Sequence, residues 1–240
     1  MDASIYIATS LQANLFRDMD VTANNIANLN TAGYQAEKLS FNQYLEEDGE
    51  TKDAYANEPS SYRDLTPGAM QYTNNSLDFA ISGNAYFQVQ TPLGVRYTRA
   101  GGFQLNEQGS IVTTDGYPVL GADGSEITVP EGTKEVVVNG IGQVGADGQT
   151  IGQIGLMSFR NEQGLQRLGN SLYTSSEAPE PSESARVVQG AIESSNVNGV
   201  TELVRVMNLT RAVTNSSKFI DTMYNLERKT SDAYTNSQAA

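Results

Sequence analysis

The sequence predicts a mixed, discontinuous chain: coiled-coil helices at the N- and C-termini and a central all-β antiparallel domain of sandwich or barrel-like form. Three observations predict it. Apolar residues recur at alternating gaps of 3 and 4 near both ends. The texture changes to two-residue alternation with frequent turns from Ser76 to about Tyr173. Acidic, proline-bearing stretches flank that middle on either side. The expected organisation is an N-terminal helix over 1–34, an extended arm or loop over 35–75, the central β domain over 76–176, a linker over 177–199, and a C-terminal helix and tail over 200–240.

The first seam runs through Ile5, Ala8, Gln12, Leu15, Met19, Thr22, Ile26 and Leu29. A heptad spacing of this kind keeps one narrow stripe on one helix face. Gln12 is a polar break, with Leu11 beside it to take over part of the stripe. Asn30-Thr31-Ala32-Gly33 supplies the stop, since glycine tolerates the left-handed turn that ends helices. Asn24, Asn25, Asn28 and Asn30 are unusual here, because an asparagine amide competes for backbone hydrogen bonds. They mark a frayed helix end or amides that bridge to neighbouring chains.

Between Gln35 and Met70 the periodicity dissolves. Glu46, Glu47, Asp48 and Glu50 form an acidic run, followed by Pro59, Pro67 and Gly68, as in an extended arm. The β texture follows. Phe87, Val89 and Thr91 alternate with polar neighbours, Pro92-Leu93-Gly94 turns the chain, and Val95, Tyr97 and Arg99 alternate again. Asn106–Gly109 and Asp115-Gly116 are further turns, and Val136–Val138 runs into the hairpin signal Asn139-Gly140. Glu177–Ser184 reads as the linker. The second seam, Leu203, Val206, Thr210, Val213, Ser217, Ile220 and Tyr224, predicts a helix from about Val200 to about Lys229, opened by Thr201-Glu202 and closed by Arg228 and Lys229. Both seams are narrow and include Thr or Ser. Helices so marginal gain most of their stability from packing partners, which a polymer supplies.

Composition excludes several functions. A net charge of −13 repels phosphate backbones and anionic lipid, so no nucleic-acid partner is expected. With no cysteine and no histidine, disulfides, thiolate metal sites and the commonest general base are all missing. No apolar run approaches the roughly 18 residues of a membrane span, so no membrane insertion is expected. MDASIYIATSLQANLF lacks the basic and apolar regions of a Sec signal peptide. The two Gly-Ala-Asp-Gly copies at 121–124 and 145–148 lack the further carboxylates of a calcium loop and read as turns. Ser82-Gly83 lacks a nucleophile-elbow frame, and there is no phosphate-binding loop. The chain calls for no cofactor, metal or catalytic residue.

Three motifs in order resemble the flagellar rod and hook proteins. The first is Asn24-Asn25-Ile26-Ala27-Asn28 with Asn30-Thr31-Ala32-Gly33-Tyr34. The second is Leu77-Asp78-Phe79-Ala80-Ile81-Ser82-Gly83 with Tyr97-Thr98-Arg99-Ala100-Gly101-Gly102-Phe103, continued by Gly109–Thr113 and Gly116–Gly121. The third is Gln189-Gly190-Ala191-Ile192-Glu193-Ser194-Ser195-Asn196-Val197. Length and the opening Met1–Tyr6 resemble the proximal rod members more than the longer distal rod and hook members. The resemblance implies a subunit of the flagellar basal body in the rod that spans the periplasm. It further implies export from the cytoplasm by the flagellar type III apparatus without a cleaved signal. Its partners would be other rod proteins and copies of itself, joined through the terminal seams. The competing expectations are a distal rod protein and, from another class, a secreted β-rich carbohydrate-binding protein.

Overall fold

The computed structural model describes residues 3–40, 43–48, 51–56 and 60–238, with side chains over 7–40 and 60–230. Glu50, Pro59 and the side chains of Ile5 and of Glu46–Asp48 lie outside the described residues. The chain divides into two units. One joins residues 1–27, 37–63 and 198–240, and the other joins 28–36 and 64–197.

The first unit is mainly helical. α1 (Ala3–Ala27) ends before the Asn30–Gly33 stop, and Gly33 has φ +66°. α2 (Gly199–Gln238) begins at a cap that the sequence marks with Asn198. Its Oδ1 accepts the Thr201 N–H at 3.1 Å, and its carbonyl accepts that of Glu202 at 3.0 Å. Glu202 places its charge in the first turn, where the helix dipole favours it. The two helices run antiparallel: Gln12 Nε2 donates to Ser217 Oγ at 3.0 Å, and Asp18 meets Arg205 at 2.8 Å. Between them in sequence lie β1 (Glu37–Ser40), β2 (Gln43–Asp48), β3 (Thr51–Ala56) and β4 (Ser60–Arg63). β1 pairs antiparallel with β4 from Glu37↔Arg63 to Ser40↔Ser60, and β2 with β3 from Gln43↔Ala56 to Asp48↔Thr51. Much of the stretch read as an arm is thus paired strand.

The second unit is mostly antiparallel β. It opens with β5 (Met70–Tyr72), β6 (Phe79–Ser82), β7 (Tyr86–Thr91), β8 (Gly94–Thr98), β9 (Phe103–Leu105) and β10 (Ile111–Thr113). β11 (Val136–Val138), β12 (Gln143–Ala146) and β13 (Gln149–Gln153) make a three-stranded sheet whose first turn contains Asn139-Gly140. β14 (Leu156–Ser158), β15 (Gln166–Gly169), β16 (Leu172–Thr174), β17 (Glu180–Pro181), β18 (Arg186–Gln189) and β19 (Ala191–Glu193) complete it. The largest sheet has the order β15-β16-β8-β7-β14-β17, while β18 pairs with β6 and β19 with β5. The stretch expected to be a linker therefore contributes β17, β18 and β19.

A closed barrel is not found among the described residues. Closure needs one continuous ladder of staggered strands. Here strands of two to six residues are divided among separate sheets, and the largest sheet ends at β15 and β17. The main core gathers Phe79, Ile81, Phe87, Val89, Ile111 and Val144, all at most 1% exposed. A second cluster holds Tyr86, Tyr97, Phe159 and Tyr173, with Tyr97 edge-on to Phe159 at 4.8 Å between ring centroids. The alternation holds only in part: Phe87 and Val89 enter the main core, but their neighbours Tyr86 and Gln88 are buried too, Tyr86 in the second cluster, and Val95 is exposed, because β7 is an interior strand covered on both faces.

Candidate assembly site

The three sequence motifs meet in the β unit as a polar knot. Arg99 follows β8 and is fully enclosed. Its Nε donates to Glu193 Oε2 at 2.8 Å, and its Nη2 lies 2.7 Å from the same oxygen, an ion-pair contact rather than an aligned hydrogen bond. Both side chains are only 3% exposed. Arg99 Nη1 donates to the carbonyls of Gly83 and Ala85 at 3.2 and 3.0 Å. Glu193 Oε1 accepts the Gly68 N–H at 3.1 Å, and its backbone carbonyl accepts that of Gly33 at 2.8 Å. Buried charges persist only when paired and hydrogen-bonded in this way. Glycine at 33 is obligatory twice over: φ is positive, and a Cβ would strike the backbone of Arg99 and Ala100. At Gly68 a Cβ would meet the Ser194 carbonyl.

Asn196 fastens the same region. Its Oδ1 accepts the Ala36 N–H at 2.6 Å, its Nδ2 donates to the carbonyls of Asp64 and Thr66 at 2.9 and 2.8 Å, and its own N–H reaches Tyr34 O at 3.2 Å. One amide thus replaces a piece of ladder for three chain segments. Tyr34 lies 4.2 Å beneath the Arg167 guanidinium, whose Nη2 donates to Gln35 O at 2.6 Å. Burial opposes the Arg167 charge, but Tyr173 and Tyr34 favour it and leave its pKa raised.

Other motif residues serve local turns. Thr31 Oγ1 donates to Asn28 Oδ1 at 3.1 Å, Thr98 Oγ1 accepts the Ala100 N–H at 3.0 Å, and Ser195 Oγ accepts that of Val197 at 3.3 Å. Asp78 accepts from Thr73 Oγ1 at 2.6 Å and Asn75 Nδ2 at 3.0 Å, while Gly190, at φ +75°, donates to Asp78 O at 2.8 Å. Gly83, at φ +113°, packs near the Ala185 backbone. Tyr97 belongs to the second core, where burial raises its pKa against a lowering effect of Arg96.

In the helical unit, Asn25 is 1% exposed and acts within the chain. Its Oδ1 accepts the Glu37 N–H and its Nδ2 donates to the Glu37 carbonyl, both at 2.9 Å. For this amide, both sequence-based expectations give way to a clamp on β1. Asn24 is exposed. On α1, Leu15, Met19 and Ile26 are half-buried, as are Val206, Val213 and Ile220 on α2. Leu29, beyond α1 in the other unit, is half-buried too. Leu203 stands 56% exposed beside the inward stripe of Glu202, Val206, Leu209 and Val213. Sequence reasoning missed Asp18–Arg205, Arg167 and Asp64; the signal for the first was a charge of each sign lying against an apolar stripe. Among the described residues no group of acidic side chains is placed to hold a metal, and no helix is long and apolar enough to cross a membrane.

The helices and the knot coincide with matches to known families. Residues 5–35 match the family described as "Flagella basal body rod protein", residues 80–146 the "Flagellar hook protein FlgE/F/G D1 domain", and residues 188–233 the "Flagellar basal body rod FlgEFG protein C-terminal". Among curated relatives, the flagellar basal-body rod protein FlgF of Rhizobium meliloti (strain 1021) is 38% identical over 218 residues, covering 90% of each chain. FlgF of Caulobacter vibrioides (strain ATCC 19089 / CIP 103742 / CB 15) is 34% identical over 235 residues, 95% of this chain and 96% of its own. The flagellar basal-body rod protein FlgG of Bacillus subtilis (strain 168) is 32% identical over 248 residues, 91% of this chain and 94% of its own.

Proposed function

This chain belongs to the flagellar basal-body rod protein family and is a structural subunit of the rod, and we propose that it occupies the proximal rod and polymerises through its terminal helices. One observation carries the assembly reading. The helical unit turns Ile7, Leu11, Phe16, Leu203, Val204, Met207 and Phe219 outward, each at least 48% exposed. Helices pack their apolar stripes against something. Here neighbouring rod subunits would cover them, completing coiled-coil packing along the two seams. The β unit, read as a sandwich-like body, would set lateral contacts between neighbouring subunits. A heterologous contact that does not close generates an open helix, the form a drive shaft needs.

The remaining seam and signature residues take roles in this scheme. Leu203 would lie in the intersubunit stripe with these outward residues, while the half-buried Leu15, Met19, Ile26, Leu29, Val206, Val213 and Ile220 would offer neighbours only their exposed edges, with Ile5 continuing the seam. The Arg99–Glu193 knot and Asn196 would hold fixed the points where the chain enters and leaves the β unit. Export through the flagellar type III apparatus without a cleaved signal fits a chain free of cysteine. Coupling of helix order to docking would delay polymerisation until after export. At like coverage, identities of 38% and 34% to the two FlgF relatives, against 32% to FlgG of Bacillus subtilis, support the proximal over the distal position.

Mass spectrometry of purified basal bodies with the hook removed tests this. A few copies per particle are expected. Many copies would reassign the chain to the distal rod, and its absence from the particle would overturn the assembly scheme.

A further inference from the structure

The β unit carries an apolar knob and an apolar groove at opposite ends of one strand. The knob is the β7–β8 hairpin tip, Pro92-Leu93, where Leu93 is 79% exposed. It is held rigid. Thr91 Oγ1 donates to Gly94 O at 2.7 Å and accepts the Leu93 N–H at 3.3 Å, while Arg96 donates through Nη2 to Leu93 O and through Nη1 to Val95 O, both at 2.7 Å. A rigid side chain loses little freedom on docking, so it suits an anchor. The groove encloses about 340 Å³ and is lined by Ile141, Ile154, Leu156, Met157, Pro181 and Ala185. A cavity of roughly 150 Å³ accepts a benzene molecule, so this one has room for a leucine and its neighbouring proline.

Charge selects the occupant. Copies of a chain with net charge −13 repel one another, so any contact between them needs a local match of opposite sign. The knob carries Arg96, whose guanidinium is bonded to neutral carbonyls and makes no ion pair among the described residues. Glu183 and Arg186 line the groove. Arg186 Nη1, like the Arg96 guanidinium, is bonded to carbonyls, those of Glu183 and Ala185 at 2.8 Å each, and keeps its charge; the Glu183 carboxylate is the one anion of the lining and has no cation partner among the described residues.

Leu156 and Met157 of the groove pair with Phe87 and Tyr86 at the start of β7, and the knob follows Thr91 at its end. At about 3.3 Å per residue, knob and groove are separated along the strand by roughly 17 Å. The hairpin therefore cannot fill its own groove. A match between copies joins unlike surfaces head to tail, which extends into an open helix when the rotation from copy to copy does not close.

We propose that Pro92-Leu93 of one copy seats in the groove of the next, with Arg96 facing Glu183; this rests on the rod-subunit assignment and adds a contact made by the β unit. The absence of cysteine makes the test clean. Full-length Leu93→Cys/Ile141→Cys, at positions 79% and 53% exposed, is oxidised at high concentration and run on a non-reducing gel. A ladder of oligomers is expected, whereas Leu93→Cys paired with Gln108→Cys on an exposed turn gives none. Glu183→Arg should remove most of the ladder, whereas Glu183→Asp, which keeps the charge, should retain it. A ladder no stronger than the Gln108 control overturns the contact. So does exclusive cross-linking, within basal bodies, to a rod protein of different sequence. If the chain is present in basal bodies when the ladder fails, the contact alone falls and the rod assignment stands.

Discussion

The two units solve burial in opposite ways. In the β unit, Phe79, Tyr86, Phe87 and Tyr173 are completely enclosed, and even the charged Arg99 and Glu193 are paired inside. Among the described residues of the helical unit the buried positions are Ala8, Asp18, Thr22, Asn25, Arg63, Glu202 and Leu209, while larger apolar side chains such as Phe16, Met207 and Phe219 face water. A helix that hides polar groups and exposes apolar ones has its main partner elsewhere. The β unit therefore encloses its largest side chains within one chain, whereas under the proposed assembly neighbouring subunits would complete the helical unit. Each substitution below tests whether that division is real.

The largest effect should come from the knot. Glu193→Ala leaves Arg99 buried without a counter-charge, which typically costs 3–5 kcal/mol, of order the whole stability of a small domain. Urea unfolding followed by tyrosine fluorescence reads it, since the chain has 12 tyrosines and no tryptophan. The double change Arg99→Met/Glu193→Leu should recover part of the loss, because an apolar pair avoids the unpaired charge but leaves Gly83 O, Ala85 O and the Gly68 N–H without these partners. Equal loss in both variants would mean the ion pair is not what the region depends on. Gly33→Ala comes next. A left-handed φ alone costs about 1–2 kcal/mol, and displacement of the Arg99 backbone adds to it. Its melting curve should shift in the β unit, although residue 33 directly follows the helical seam.

The sequence made the division legible in outline. Heptad spacing found α1 and α2, and alternation with turns found β7, β8 and the β11–β12 hairpin, since both signals depend on near neighbours. What it could not carry was long-range pairing. Gln189 reaches Ser76 and Val136 through its amide, Arg186–Gln189 add a strand to β6, and nothing in an acidic, proline-bearing stretch announces a distant partner. Glu37–Ser40 and Ser60–Arg63 show no shared period, yet they form a ladder. The motif residues were visible as a pattern, but Glu193 could be joined to Arg99 and Gly33 only in space. Asn25 shows the same limit: its poor helix propensity was plain, and its bond to Glu37 was not.

Asn25→Ala should have an intermediate effect confined to the helical unit. It strips partners from both the N–H and the carbonyl of Glu37, and a buried group left unsatisfied costs about 1–3 kcal/mol. Amide exchange at Glu37 should accelerate, while amides of β7 keep their protection. Acceleration across both units would mean that they unfold together and that the two modes of burial are not separable.

The smallest effect on the single chain should accompany the largest effect on assembly. Leu203 is 56% exposed, and an exposed substitution usually changes stability by no more than about 0.5 kcal/mol. Leu203→Asp should therefore melt like the parent protein, yet it places a charge on the stripe that a neighbouring subunit would cover, where burial of an unpaired carboxylate is prohibitive. Basal bodies from cells carrying it should lack the chain. Leu209→Asp is the control in the opposite sense: at 7% exposure it faces inward, so the helix pair should loosen even in the monomer. If Leu203→Asp assembles normally, the outward apolar side chains are ordinary surface, and the helical unit is as complete by itself as the β unit.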